Sequence, residues 1–304
     1  MKNIQKSIVR EEIIRSIRSF FYERDFHEVI PPILNETLPL EPNLNPFSTV
    51  WKTFEGEKKL YLSMSPERGI KNMLAQGMGN CFAISKSFRN LERSGSLHSP
   101  EFLMLEWYRK DATYENIMDD VEKLFSYLKP AVFNKKWPVF SLKKLFEEYL
   151  GINLEKAIND EKILFELATK KGYQTAGFTW TQIYDQLFIS EIELKLPKYP
   201  LFLIDFPSRI SPLCKPKKNN PDFAERFECY VNGIEIGNGN NENTNVTSVI
   251  KVFESQEKLT NLPIDEEFLS SLKMMNKNSY AGVGIGLDRL VMILNNETSI
   301  NDTV

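Results

Sequence analysis

Gly282-Val283-Gly284-Ile285-Gly286-Leu287-Asp288-Arg289-Leu290-Val291-Met292, near the C-terminus, is the most informative run in the chain. Small residues alternate along an extended run, and an acid–arginine pair then leads into an apolar segment of helical character. Glycine lets a ligand lie directly against backbone, because no Cβ holds it off. A helix starting near Asp288 would offer unsatisfied N–H groups and its positive dipole end to an anion. Arg289 adds a forked, permanent charge that fits phosphate. The run is not the dinucleotide fingerprint Gly-x-Gly-x-x-Gly, and no strand–helix–strand unit follows it. Together these features predict a nucleotide cradle.

A second region has the same character. Residues 80–88 and 101–108 read as strands joined by a polar loop, 89–100. They carry Phe88-Arg89-Asn90-Leu91-Glu92, then His98-Ser99-Pro100-Glu101-Phe102, then Glu106-Trp107-Tyr108. Further on, Asn232-Gly233 between alternating segments is a two-residue hairpin signal. It pairs Val231 with Ile234, so Tyr230 faces Glu235, and Glu228 shares the face of Tyr230. Glu228 and Glu235 become diagonal neighbours, about 7–8 Å apart at the backbone. Two carboxylates so placed are either ligands for a shared Mg²⁺ or simply solvent-facing glutamates; the hairpin alone leaves both open.

The remainder of the 304 residues is that of an ordinary globular protein, 42% hydrophobic and 26% charged. A net charge of −3 argues against extensive nucleic-acid contact, although Lys215, Lys217 and Lys218 form a local basic cluster. Cys81, Cys214 and Cys229 have neither metal-ligand spacing nor an even count, which fits a reducing cytoplasm. No apolar run approaches the ~18 residues needed to span a membrane. Residues 5–24 place Ile8, Ile13, Ile14, Ile17, Phe20 and Phe21 at helical spacing, and a short strand over 26–30 stops at Pro31-Pro32. A helix is expected over 114–129, mostly helical structure over 130–200, and strands again over 201–206 and 225–238. The pattern predicts one α+β domain over 1–304, an antiparallel sheet flanked by helices, with 130–200 as a helical insertion.

The segments around Arg89 and Arg289 resemble motifs 2 and 3 of the class II aminoacyl-tRNA synthetases, in the lysyl branch. They resemble above all the short paralogues that attach lysine to elongation factor P. Helix, strand and Pro32 are similar to motif 1, the dimer-forming element. The resemblance implies a class II catalytic domain that uses ATP and Mg²⁺ in a cytoplasmic homodimer. Catalysis would rest on Arg89, gripping the α-phosphate and the amino-acid carboxylate, and on Arg289, holding the γ-phosphate. Phe102 would stack on adenine, and Asn90, Glu92, His98, Ser99, Glu235, Ile236 and Gly286 would complete the ATP site. Glu228 and Glu235 would hold the metal. For a lysine-like substrate, Glu106, Tyr108 and Glu242 would bind the side-chain ammonium and Glu67, with Ser65 and Pro66, the α-amine. Asn238 would contact the carboxylate, and Gly284 would leave room beside the α-carbon.

Some positions depart from that pattern. Leu91 is inserted in the usual Arg-Asn-Glu of motif 2, Ser99 replaces an asparagine, and Asn240 replaces an aromatic beside the lysine chain. Gly284 and Ser211-Pro212-Leu213 look synthetase-like. Asn43-Leu44-Asn45-Pro46-Phe47 looks ligase-like, as does a motif 1 so near Met1 that no anticodon-binding barrel is expected before it. The expected activity is ATP-dependent activation of lysine, or a β-lysine-like isomer, and its transfer to a lysine of elongation factor P. Charging of tRNA or of a small amine is the less favoured alternative, and a catalytically silent amino-acid-binding regulator is another.

Overall fold

The computed structural model describes residues 4–42, 44–92 and 95–303; Asn43, which heads the Asn43–Phe47 stretch, lies outside the described residues. In chain order the elements begin with α1 (Ile4–Tyr22), β1 (His27–Glu28), β2 (Leu34–Asn35), β3 (Ser48–Thr53), β4 (Gly56–Leu62) and α2 (Glu67–Ala75). They continue with β5 (Cys81–Phe88), β6 (Glu101–Lys110), α3 (Tyr114–Leu128), β7 (Val139–Ser141), α4 (Leu142–Leu150), α5 (Leu154–Asn159), α6 (Lys162–Lys170) and α7 (Trp180–Leu187). Then come β8 (Leu201–Ile204), β9 (Pro216–Lys217), β10 (Asn220–Ala224), β11 (Arg226–Val231) and β12 (Ile234–Asn241). The last are α8 (Val246–Thr260), α9 (Glu266–Met275), β13 (Tyr280–Gly286) and α10 (Leu287–Leu294). The fold is α+β, in two compact units.

The first unit comprises the described residues of 1–135 and 242–304. Its main strands run in the order β1–β5–β6–β13, and a smaller sheet orders β2–β4–β3. Aromatic packing fixes one face: Phe21 of α1 stacks on Phe82 at 4.7 Å and lies 5.2 Å from Trp107. The other face has an unusual composition. Register sets Phe102, Met104, Glu106 and Tyr108 of β6 opposite Ser87, Ser85, Ala83 and Cys81 of β5. On its other side β6 meets Gly286, Gly284 and Gly282 of β13, opposite Met104, Glu106 and Tyr108. Large side chains on the central strand therefore stand as a ridge between two rows of small residues, leaving a trough beside β6. Gly282 is required there: a Cβ would lie 2.3 Å from the Tyr108 ring. At Gly284 a Cβ would make ordinary contact, 3.5 Å from Met104 Sδ.

The second unit, Lys136–Asn241, orders its strands β12–β11–β8–β7. Helices α4 to α7 lie between β7 and β8. Their centre is a pile of rings, with Tyr184 stacked at 5.4 Å on both Phe146 and Trp180.

The expected antiparallel sheet is corrected at two strands. β1 runs parallel to β5, and β7 parallel to β8. These are strands of two and three residues whose partners are far away in the chain. Neither alternation nor a turn signal can announce such pairings.

Candidate active site

The nucleotide-type residues gather at the ends of β5, β6 and β13. Arg89 donates its backbone N–H to Pro100 O at 3.1 Å, closing the loop between β5 and β6. Its guanidinium reaches Met64 O at 3.4 Å and lies 5.4 Å from the Phe102 ring centre. Asn90 donates its N–H to Asn45 O at 2.8 Å. The inserted Leu91 takes a left-handed conformation, φ 60°, with its side chain in solvent and its N–H bonded to Asn90 Oδ1 at 2.9 Å. One tight turn thus absorbs the extra residue and leaves Glu92 exposed. At the far end of the loop Ser99 is half-buried, and the exposed His98 meets Arg289 at 2.8 Å between Nε2 and Nη2. Arg289 also donates from Nε to Leu97 O at 3.1 Å.

Gly286 closes β13 and caps α10, so Arg289 sits in the first turn of that helix. Asp288 has a structural task. Its Oδ2 accepts the Leu103 N–H at 2.8 Å and its Oδ1 pairs with Arg10 at 2.5 Å. These contacts tie α10 to β6 and α1.

Amino-acid-type residues gather around a side chain that sequence reasoning missed. Glu67 opens α2; its N–H donates to Ser65 Oγ at 3.3 Å, and Pro66 is the cap. Gly69 lets that helix approach Pro31, where a Cβ would collide at 2.4 Å. One turn after Glu67, Lys71 is 1% exposed, and its ammonium lies 2.5 Å from both Glu67 Oε1 and Glu242 Oε2. Burial disfavours that charge, yet the carboxylates of Glu242 and then Glu67 outweigh burial and hold the ammonium's pKa above its ordinary value. The signal for this pair was the i, i+4 spacing of Glu67 and Lys71 on one helix face. Glu106, also buried, accepts a hydrogen bond from Tyr108 Oη at 2.8 Å. Burial, followed by the charge of Glu67, raises the Glu106 pKa well above the usual carboxylate range. Glu67, Glu106, Tyr108 and Glu242 therefore share one buried polar cluster, flanked by Gly284.

In the second unit the hairpin forms as expected. Asn232 and Gly233 both have positive φ, 57° and 74°, as a type I′ turn requires. Val231 pairs with Ile234 and Tyr230 with Glu235. Beyond that point strict alternation fails. Cys229 pairs with Gly237, so Ile236 is an extra, bulged residue. Glu228 then faces Asn238, and Arg226 faces Asn240. The bulge turns Asn238 and Asn240 onto the face of Glu228 and Glu235. The Ile236 side chain is sent to the opposite face, 1% exposed, so only its backbone is available to the nucleotide expected there.

Glu228 is buried between Arg226, 2.8 Å from its Oε1, and Tyr230, whose hydroxyl donates to Oε2 at 2.9 Å. Burial and the neighbouring Glu235 push the Glu228 pKa up to about 7 against the opposing pull of Arg226. Burial is the larger cause of that rise and repulsion from Glu235 the next, and an all-oxygen pair of neighbouring carboxylates suits Mg²⁺. Among the described residues no group of three or more His, Cys, Asp or Glu is placed to hold a metal. Such a site would therefore be completed by water and phosphate oxygens, as Mg²⁺ prefers. Of the lysines at 215, 217 and 218, two are paired with acids: Lys217 with Asp205 at 2.5 Å and Lys215 with Glu225 at 3.8 Å.

A family model described as tRNA synthetases class II (D, K and N) matches residues 2–304. The chain is 34% identical over 313 residues to an elongation factor P–(R)-β-lysine ligase of Buchnera aphidicola subsp. Schizaphis graminum (strain Sg), covering 99% of this chain and 95% of that one. It is 36% identical over 315 residues to the protein of the same name in Avibacterium paragallinarum, again covering 99% and 95%. Similarity extends to a lysine–tRNA ligase of Wigglesworthia glossinidia brevipalpis, 34% identical over 316 residues, covering 97% of this chain and 63% of that one.

Proposed function

This chain belongs to the class II tRNA synthetases of the aspartyl, lysyl and asparaginyl group, and we propose from that premise that it is an ATP-dependent ligase attaching lysine or (R)-β-lysine to a lysine side chain of elongation factor P. The observation that carries this reading is the buried cluster of Glu67, Glu106 and Glu242 around an ammonium group. A pocket with more buried carboxylates than cations favours a substrate that brings amines, and rejects neutral isosteres, because an unpaired buried charge is costly. The ligases of Buchnera and Avibacterium, similar along nearly their whole length, carry the acceptor in their names.

In the proposed reaction a carboxylate oxygen of the amino acid attacks the α-phosphorus of ATP. The bond to pyrophosphate breaks, leaving an aminoacyl-adenylate. The unprotonated amine of the acceptor then attacks the acyl carbon, an amide forms, and AMP leaves. Arg89 orients the carboxylate and stabilises the charge that builds on the α-phosphate, while Arg289, steadied against His98, holds the terminal phosphate. Phe102 offers its ring to adenine. Asn90, Ser99 and Gly286 border the nucleotide, and Asn238 the carboxylate. Mg²⁺, held by Glu228 and Glu235, would neutralise charge on the departing pyrophosphate. The described residues of 1–304 would serve this one reaction as a single catalytic domain, in the cytoplasm and as a homodimer. For the dimer, support comes from the motif 1 likeness and from apolar groups left in solvent beside it, Ile8 and Ile30 among them. Among the described residues no helix is long and apolar enough to cross a membrane.

Amino-acid-dependent ATP–pyrophosphate exchange, run over the amino acids and β-lysine, tests the activation step. Exchange with one diamino acid, followed by its transfer to elongation factor P and not to tRNA, is the expected result. Exchange with none, by a folded protein that binds ATP, would leave an amino-acid-binding regulator as the better reading.

A further inference from the structure

The ammonium of Lys71 already stands where two acids expected to hold substrate amines converge. Its 2.5 Å contacts reach Glu67 on its own helix and Glu242, which lies far along the chain. The Tyr108 and Phe268 rings lie 5.5 and 5.3 Å from Nζ and shut out water. Stability does not demand such a group, since apolar replacements of buried ion pairs are often neutral or better. We propose that Lys71 is a positioning residue of the amino-acid pocket: it fixes the spacing of Glu67 and Glu242 and supplies the charge that keeps both available to the amines of a diamino-acid substrate. This deepens the function proposed above and rests on it.

The groups facing Lys71 make the proposal testable by pH. Glu67, Glu242 and Glu106 converge there with Tyr108, and Glu41 adds negative charge toward Glu106. Removing the charge of Lys71 leaves several buried carboxylates repelling one another, and a proton on one of them becomes the cheapest relief. That proton must leave before a cationic substrate is bound. Affinity should then weaken as pH falls, by up to about ten-fold per pH unit.

The experiment is calorimetric binding of lysine and of β-lysine at pH 6.0, 7.0 and 8.5, with ATP binding measured on the same samples. Three proteins are compared: the parent, Lys71→Arg, and Lys71→Gln, which keeps two donors for the acids and loses only the charge. The parent and Lys71→Arg should differ little in their pH dependence. Lys71→Gln should bind the diamino acid about ten-fold more weakly at pH 8.5 and weaker still at pH 6.0, with ATP affinity unchanged. Parent-like lysine binding by Lys71→Gln at every pH would overturn the role of Lys71. Equal, pH-independent losses in both variants would also overturn it, since they would mark a packing role only. A parent that binds the diamino acid but gives no pyrophosphate exchange would count against the proposed function alone. If the parent binds no diamino acid, both fail.

Discussion

Arg289 and His98, 191 positions apart in the chain, meet at 2.8 Å between Nη2 and Nε2. This contact joins the first turn of α10 to the loop between β5 and β6. It explains how a guanidinium on a helix is aimed back across the trough toward the loop that carries Arg89.

Arg289→Ala should therefore lower amino-acid-dependent pyrophosphate exchange by on the order of 10²- to 10³-fold, the usual loss for a preorganised charge donor. The melting temperature should barely change, because Nε and Nη2 are bonded to the loop residues Leu97 and His98. Exchange within a few-fold of the parent would remove Arg289 from the phosphate site.

Two glycines on one strand should behave differently. Gly282→Ala drives a Cβ to 2.3 Å from the Tyr108 ring, and should destabilise by about 1–3 kcal/mol, as overpacking does. Gly284→Ala meets its nearest side chain at 3.5 Å and should stay within about 1 kcal/mol of the parent. Urea unfolding of the two variants gives the comparison; equal losses would contradict the trough geometry.

Removing the carboxylate that Tyr108 addresses tests the pocket. Glu106→Gln should weaken lysine binding by about 1–3 kcal/mol, roughly ten- to a hundred-fold, by leaving an amine underpartnered. ATP affinity should hold. A similar loss for neutral amino acids would show that Glu106 shapes the pocket without reading charge.

Glu228 predicts a pH dependence of definite sign. Its folded pKa of about 7 exceeds the ordinary 4.5, so the folded state retains a proton that the unfolded state has lost. Its contribution to stability consequently declines as pH rises from about 4.5 to about 7, by roughly 3 kcal/mol in full. Glu228→Gln should abolish that decline. Divalent-cation binding runs the other way, because metal displaces the proton. Mn²⁺ or Mg²⁺ should raise the melting temperature more at pH 8 than at pH 6, and an equal rise at both would separate Glu228 from the metal.

Much of this arrangement was legible in residue order. Asn232-Gly233 announced its turn because only positive φ closes a two-residue hairpin, and the period-2 pattern around it located Glu228 and Glu235 on one face. The strand that ends just before Arg89 and the strand that bears Phe102 were readable for the same reason. Other parts had no local signature. The β3–β4 hairpin turns at Phe54-Glu55 with largely exposed strands, so no apolar alternation marked it. The bulge at Ile236 is a property of register between strands. Lys71 gained its meaning only when Glu242, from a distant segment, closed over it.

The bulge has a consequence for anyone wishing to redesign β12. Downstream of Glu235 the β12 strand presents residues 238 and 240 where uninterrupted pleating would present 237 and 239. Deleting Ile236, the extra residue, would close the bulge and keep Asn238 opposite Glu228 and Asn240 opposite Arg226, whereas straightening the strand without a deletion would bring Gly237 and Gly239 to those places and turn the amides to the opposite face. The bulge behaves as a phase setting, whereas side-chain identity behaves as a dial. Substitutions at Asn238 or Asn240 leave that phase intact, and any change that re-pairs β11 with β12 resets it for every residue downstream of Glu235.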